Sequence, residues 1–120
     1  MPQRVSVVRN VSWESEDTRG LSKSQKDDFR GKCELIYPAF INFLKLKRKE
    51  DDQSHDVIRR KLYDVLHFRH TDADIFIDRV LNAVAARAYD EKVVSGYTSK
   101  DIYYKIIIVA HKESVAAKKI

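Results

Sequence analysis

A chain of 120 residues, 43% hydrophobic and 34% charged, has apolar surface enough for one core and too little length for two of ordinary size. Its lone cysteine, Cys33, excludes an intramolecular disulfide and suits a reducing compartment. No run approaches the roughly 18 uninterrupted apolar residues of a membrane span.

The formal charge is +5 and the isoelectric point near 9.3, a modest excess that raises the odds of a polyanionic partner. It lies mainly in residues 1–50, where 11 basic residues stand against 7 acidic ones. Only 3 Gly and 2 Pro punctuate the chain, which disfavours a many-stranded sandwich or barrel and favours helices. The opening MPQRVSVVRN has no signal-peptide apolar stretch, so an intracellular protein, cytoplasmic or nuclear, is expected.

In chain order, Gln3 to Val8 alternates Val5 and Val7 with Arg4 and Ser6, a short strand or extended arm that Val11 and Trp13 could continue. Glu14 to Ser24 is polar and reads as a connector. Residues 1–24 are therefore expected to be an arm and 25–120 a single helical domain.

Gln25 to Tyr37 reads as a helix capped by Ser24 or Ser22, with Phe29, Cys33, Ile36 and Tyr37 along one side and Gly31 weakening it. Pro38 lacks an N–H and crowds the preceding turn, so a break is expected there and a second helix over Ala39 to Lys47. Ser54 or Asp56 is expected to cap a third helix ending near Phe68, with Ile58, Leu62, Val65 and Leu66 as its stripe.

The strongest pattern is Asp72 to Glu91. Ile77, Val80, Leu81, Val84, Ala85 and Ala88 recur at the three-and-four spacing that stacks side chains on one face of a helix, and Asp74, Asp78, Arg79, Asn82 and Arg87 point elsewhere. Thr71 or Asp72 is the expected cap, and Asp74 suits the positive end of the helix dipole. After VVSGYTS, Thr98 or Ser99 caps a last helix from Lys100, with Ile102, Ile106 and Val109 on one face. The β-branched run Ile106 to Val109 competes as a strand, but the cap and Tyr103, Tyr104 and Lys105 keep helical spacing.

The expected fold is therefore all-α, a compact bundle of four or five helices behind the N-terminal arm. Its expected core is Phe40, Leu44, Ile58, Leu62, Val65, Leu66, Ile77, Val80, Leu81, Val84, Ile102 and Ile106.

Chemistry is sparsely signalled. No glycine-rich phosphate loop, HExxH, GxSxG or CxxC pattern occurs. His67, His70, Asp72 and Asp74 cluster in sequence without the three or four converging donors of a zinc site, and Cys33 has no adjacent base. No enzyme, metal or cofactor is expected.

From Lys47 to Ile120, a basic start, two helices and then TSKDI opening a third resemble in outline the regulatory ATP-cone module, which would imply ATP near Lys47, Arg48, Arg59 and Arg60. The basic-plus-glycine motif that contacts nucleotide in that module has no counterpart here, so no family is assigned.

Two functions remain. The preferred one is a small non-enzymatic regulator or adaptor that binds a protein, or a second copy of itself, through Val5 and Val7 of the arm and Tyr103, Tyr104, Ile107 and Ile108 of the last helix. The alternative is a nucleic-acid-binding protein that contacts phosphates through Lys45, Lys47, Arg48, Lys49, Arg59, Arg60 and Lys61. No membrane partner is expected.

Overall fold

The computed structural model describes residues 19–49 and 52–118, with side chains for 19–46 and 56–117. The described residues form four helices, α1 (Lys23–Lys49), α2 (Asp52–Val65), α3 (Asp74–Asp90) and α4 (Lys100–Lys118). The fold is an all-α bundle, and among the described residues no helix is long and apolar enough to cross a membrane. Val5, Val7 and the rest of the expected arm lie outside the described residues.

α1 opens on a reciprocal cap. The Gln25 N–H donates to Ser22 Oγ at 3.2 Å and the Ser22 N–H donates to Gln25 Oε1 at 2.9 Å, so two otherwise orphaned amides are satisfied together. The helix then runs 27 residues with Pro38 inside it, which corrects the expected break. Phe29, Cys33, Ile36, Phe40 and Phe43 are all buried and follow one another at four, three, four and three residues, so a single stripe passes through the proline without changing face. Pro38 itself is exposed, on the side where the carbonyl it crowds can turn to water. Packing on both sides of it holds the two halves in one element.

Gly31 sits inside α1, and a Cβ built there meets nothing within 4 Å. Gly31→Ala is therefore expected to stabilise the protein by about 0.5–1 kcal/mol, read as a higher urea midpoint.

α2 starts two residues before Ser54 and stops at Val65, short of the expected Phe68. The chain turns because Asp72 captures it: the Arg69 N–H donates to Asp72 Oδ2 at 2.9 Å, and the Asp72 N–H donates to the Arg69 carbonyl at 3.0 Å. This corrects the expected cap of α3: neither Asp72 nor Thr71 holds that position, which falls to Ala73, with no side-chain bond to offer. α3 closes with Lys92 at φ 51°, while the Val93 N–H reaches back to the Ala88 carbonyl, a left-handed stop built without glycine.

α3 is the spine. Phe76, Val80, Leu81, Ala83, Val84, Ala85 and Ala88 are buried, and the helix packs against both α1 and α4. Contacts join α1 to α2, α2 to α4, α4 to α3 and α3 to α1, so the four helices form a ring in that order, with α2 against α4 the thinnest of the four seams. Phe29 of α1 and Phe76 of α3 meet edge-on at 6.3 Å near the starts of both helices.

α4 is helical throughout its β-branched run, but its inner face is not the expected one. Tyr103, Ile107, Ala110 and Ser114 are buried, while Ile102 and Ile106 are half-buried and Val109 is 51% exposed. Tyr103 fixes the rotation. Its hydroxyl donates to the Val94 carbonyl at 3.1 Å and accepts the Val94 N–H at 3.4 Å, and its ring meets Tyr97 and Tyr89 edge-on. A phenol with both ends satisfied can be buried where a bare hydroxyl could not. Tyr103→Phe leaves both Val94 groups without that partner and is expected to cost about 1–3 kcal/mol in chemical unfolding.

Of the other expected core positions, Ile58, Val65 and Ile77 are half-buried and pack against the core from its edge. Phe29, Cys33, Ile36 and Phe76, not among those expected, lie inside it.

Candidate docking face between the second and fourth helices

The thin α2–α4 seam leaves an open groove. Its floor near the end of α1 is Phe43, Ile106, Val109 and Ala110, and its walls carry Arg59, Lys105 and Glu113. It continues along Asp56, Arg60, Tyr63, Asp64, Ser114 and Ala117. From Lys105 to Ala117 it follows α4 for about 18 Å at 1.5 Å per residue, a little over three helical turns.

Among the described residues, a tyrosine–carboxylate hydrogen bond spans the seam. Tyr63 Oη donates to Glu113 Oε1 at 2.6 Å. Arg59 stands 3.9 Å from Asp56 on its own helix, an exposed pair of small energetic weight. The groove thus combines an apolar floor with charges of both signs.

The Tyr63 bond belongs to a pattern that ties the helices together. Tyr37 of α1 donates to Glu91, just past the end of α3, at 2.7 Å, and Tyr104 of α4 donates to Asp78 of α3. Burial first, then the Glu113 carboxylate, pushes the Tyr63 phenol up to about 12. For Tyr104 the hydrogen bond to Asp78 comes first and burial second, again to about 12. Burial, then Glu91, raises Tyr37 as well.

The consequence for stability has a definite sign. Free phenols titrate near pH 10, so above that the unfolded chain loses protons that the folded one retains, and the unfolded state is favoured. The contribution of these bonds is full below about pH 10 and is lost as pH rises through about 12. Urea midpoints are expected to fall across that window, with a shallower slope in Tyr63→Phe.

The residues singled out in the sequence divide as follows. Tyr103 and Ile107 lie in the chain's own core at 0% exposure, which removes them from any outer surface. Tyr104 and Ile108 are half-buried. The outward side of α4 is carried instead by Ile102, Lys105, Ile106, Val109 and Glu113. Of the basic residues, Lys45, Arg60 and Lys61 are exposed and Arg59 is half-buried in the groove wall. Lys47, Arg48 and Lys49 form the last turn of α1, and their side chains lie outside the described residues.

The sequence places Val109 on one face with Ile102 and Ile106 without marking it as exposed, and it does not single out Glu113. Ala110 and Ser114 were the available signal: small residues continuing the Tyr103–Ile107 line mark the side of α4 that lies closest to its neighbours.

A second cleft gathers His67, His70, Asp72, Asp74 and His111 around Phe68. Asp72 there is bonded to Arg69, whose guanidinium also reaches Asp28 of α1 at 2.6 Å. His111 meets Phe68 edge-on at 5.4 Å, burial lowers its pKa, and its Nδ1 is buried with no hydrogen-bond partner among the described residues. No group of three or more His, Cys, Asp or Glu among the described residues could hold a metal ion. Compared with known protein families, with curated proteins and with solved structures, the chain shows no match.

Proposed function

We propose that this protein is a non-enzymatic adaptor or regulator that works by docking another polypeptide onto the outer side of α4 and the α2–α4 groove. The observation that carries the reading is the exposure of Val109, 51% open to solvent, at the centre of an apolar floor shared with Phe43, Ile106 and Ala110. A groove of this length, walled by charged side chains, suits a helix laid along it. Apolar surface at its centre gives the affinity, and the rim charges select the partner.

A photo-crosslinking amino acid tests this. Placed at Val109 and irradiated in an extract of the protein's own cells, benzoylphenylalanine is expected to yield a covalent adduct to a polypeptide. Placed at Ile75, an apolar position 65% exposed on α3, it is expected to yield none. No adduct from Val109, or equal adducts from both, overturns the reading.

The second reading is phosphate binding, supported by the exposed Lys45, Arg60 and Lys61. Its signature is a mobility shift with generic DNA or RNA that weakens steeply between low and moderate salt. The carboxylates of Asp56, Asp64 and Glu113 in the neighbouring groove repel phosphate, which favours the first reading.

A further inference from the structure

α4 carries opposite charges at equal distances on either side of its most exposed large apolar residue, Val109. Lys105 stands one helical turn before Val109 and Glu113 one turn after it, and both are exposed. Residues four apart lie on the same face of a helix, so Lys105, Val109 and Glu113 make one outward row: positive, apolar, negative.

This order has a specific symmetry. When two identical helices lie antiparallel across a twofold axis, residues at equal and opposite offsets from the axis face one another. With the axis at Val109, Lys105 faces Glu113 of the second copy, and Glu113 faces Lys105. A parallel arrangement would set lysine against lysine and glutamate against glutamate. Only the antiparallel one is complementary.

The rest of the row fits the same register. Ile102 comes opposite Ala116, and Ile106 comes opposite Lys112, whose aliphatic stem can cover it. Ala116 and Ala117 are exposed, and small residues let two helices approach closely along a contact. Glu113 offers one oxygen to Tyr63 and has a second for an ammonium group.

Resting on the proposed docking face, we infer that its occupant is a second copy of this chain, held by antiparallel α4 helices about a twofold axis at Val109. Two helices of three or four turns make an interface at the small end of the range, so the dimer is weak and concentration-dependent.

The charge order supplies the test. In sedimentation velocity at low salt, over a wide concentration range, the wild-type chain passes from monomer to dimer. Lys105→Glu puts glutamate opposite glutamate, and Glu113→Lys puts lysine opposite lysine, so each variant alone dimerises roughly tenfold more weakly or worse. Mixing the two restores a dimer, because every facing pair is again opposite in charge, and so does the double exchange Lys105→Glu/Glu113→Lys within one chain. These positions are exposed, so the melting curves of the variants report whether each is folded. A wild-type chain that stays monomeric, single variants that dimerise as it does, or a mixture that stays monomeric overturns the inference. If the wild type is monomeric while Val109 still crosslinks to another polypeptide, the homodimer falls and the docking face stands. If Val109 yields no adduct, both fall.

Discussion

Leu81→Ala is expected to lower the free energy of unfolding by about 2–5 kcal/mol, a large share of the roughly 5–15 kcal/mol that holds a domain of this size together. Leu81 is at 0% exposure in the middle of α3, between Val80 and Val84, which are also fully buried. α3 is the helix that both α1 and α4 pack against. Removing three carbons there loses their transfer from water and leaves a space that packed neighbours on two sides fill only in part. Urea unfolding is the measurement: the midpoint falls while the slope stays the same, since the surface exposed on unfolding hardly changes. Ile75→Ala, on the same helix but facing water, is expected to change stability by less than about 0.5 kcal/mol. Equal effects at the two positions would mean that α3 turns a different face to the core.

Ile107→Asp is expected to cost more still. Ile107 is at 0% exposure on the buried line of α4 that also holds Tyr103 and Ala110, and a carboxylate placed in that apolar layer gives up its hydration. An uncompensated buried charge costs about 3–5 kcal/mol, and the group responds in part by taking up a proton. The loss should therefore deepen as pH rises above the ordinary carboxylate range, a dependence that a mere cavity at the same position would not produce.

How much of this was written in the sequence differs from helix to helix, for physical reasons. α3 was legible because its apolar residues occupy one face and its charges the others, so its rotation follows from its own pattern. α4 was legible as a helix but not in its rotation: Ile102, Ile106, Ile107, Ile108 and Val109 surround it, and no single face stands out. What turns it is a tertiary bond, Tyr103 to the Val94 backbone, which joins the helix to the turn before it and has no periodic signature.

Pro38 signals a break only when its local cost stands alone. The spacing from Phe29 through Phe43 keeps one phase across it, and burial of that stripe outweighs the one backbone bond the proline cannot make. The cap of α3 was missed for a related reason, since Asp72 had a better use in turning the chain at Arg69. As for the candidate site, its basic residues and the apolar girth of α4 were visible. The division of that girth into an inner line through Tyr103 and Ile107 and an outer one through Val109 and Glu113 was not, because it depends on which side α3 occupies.

That division is the claim on which the docking face depends, and one pair of melting curves tests it. Ile107→Asp and Val109→Asp place the same group on the same helix two residues apart. Ile107→Asp is expected to lower the melting temperature steeply, by roughly 4–8 °C for each kcal/mol lost, while Val109→Asp stays close to the wild-type value. Equal loss at both positions would mean that Val109 belongs to the core, and the proposed face would not exist.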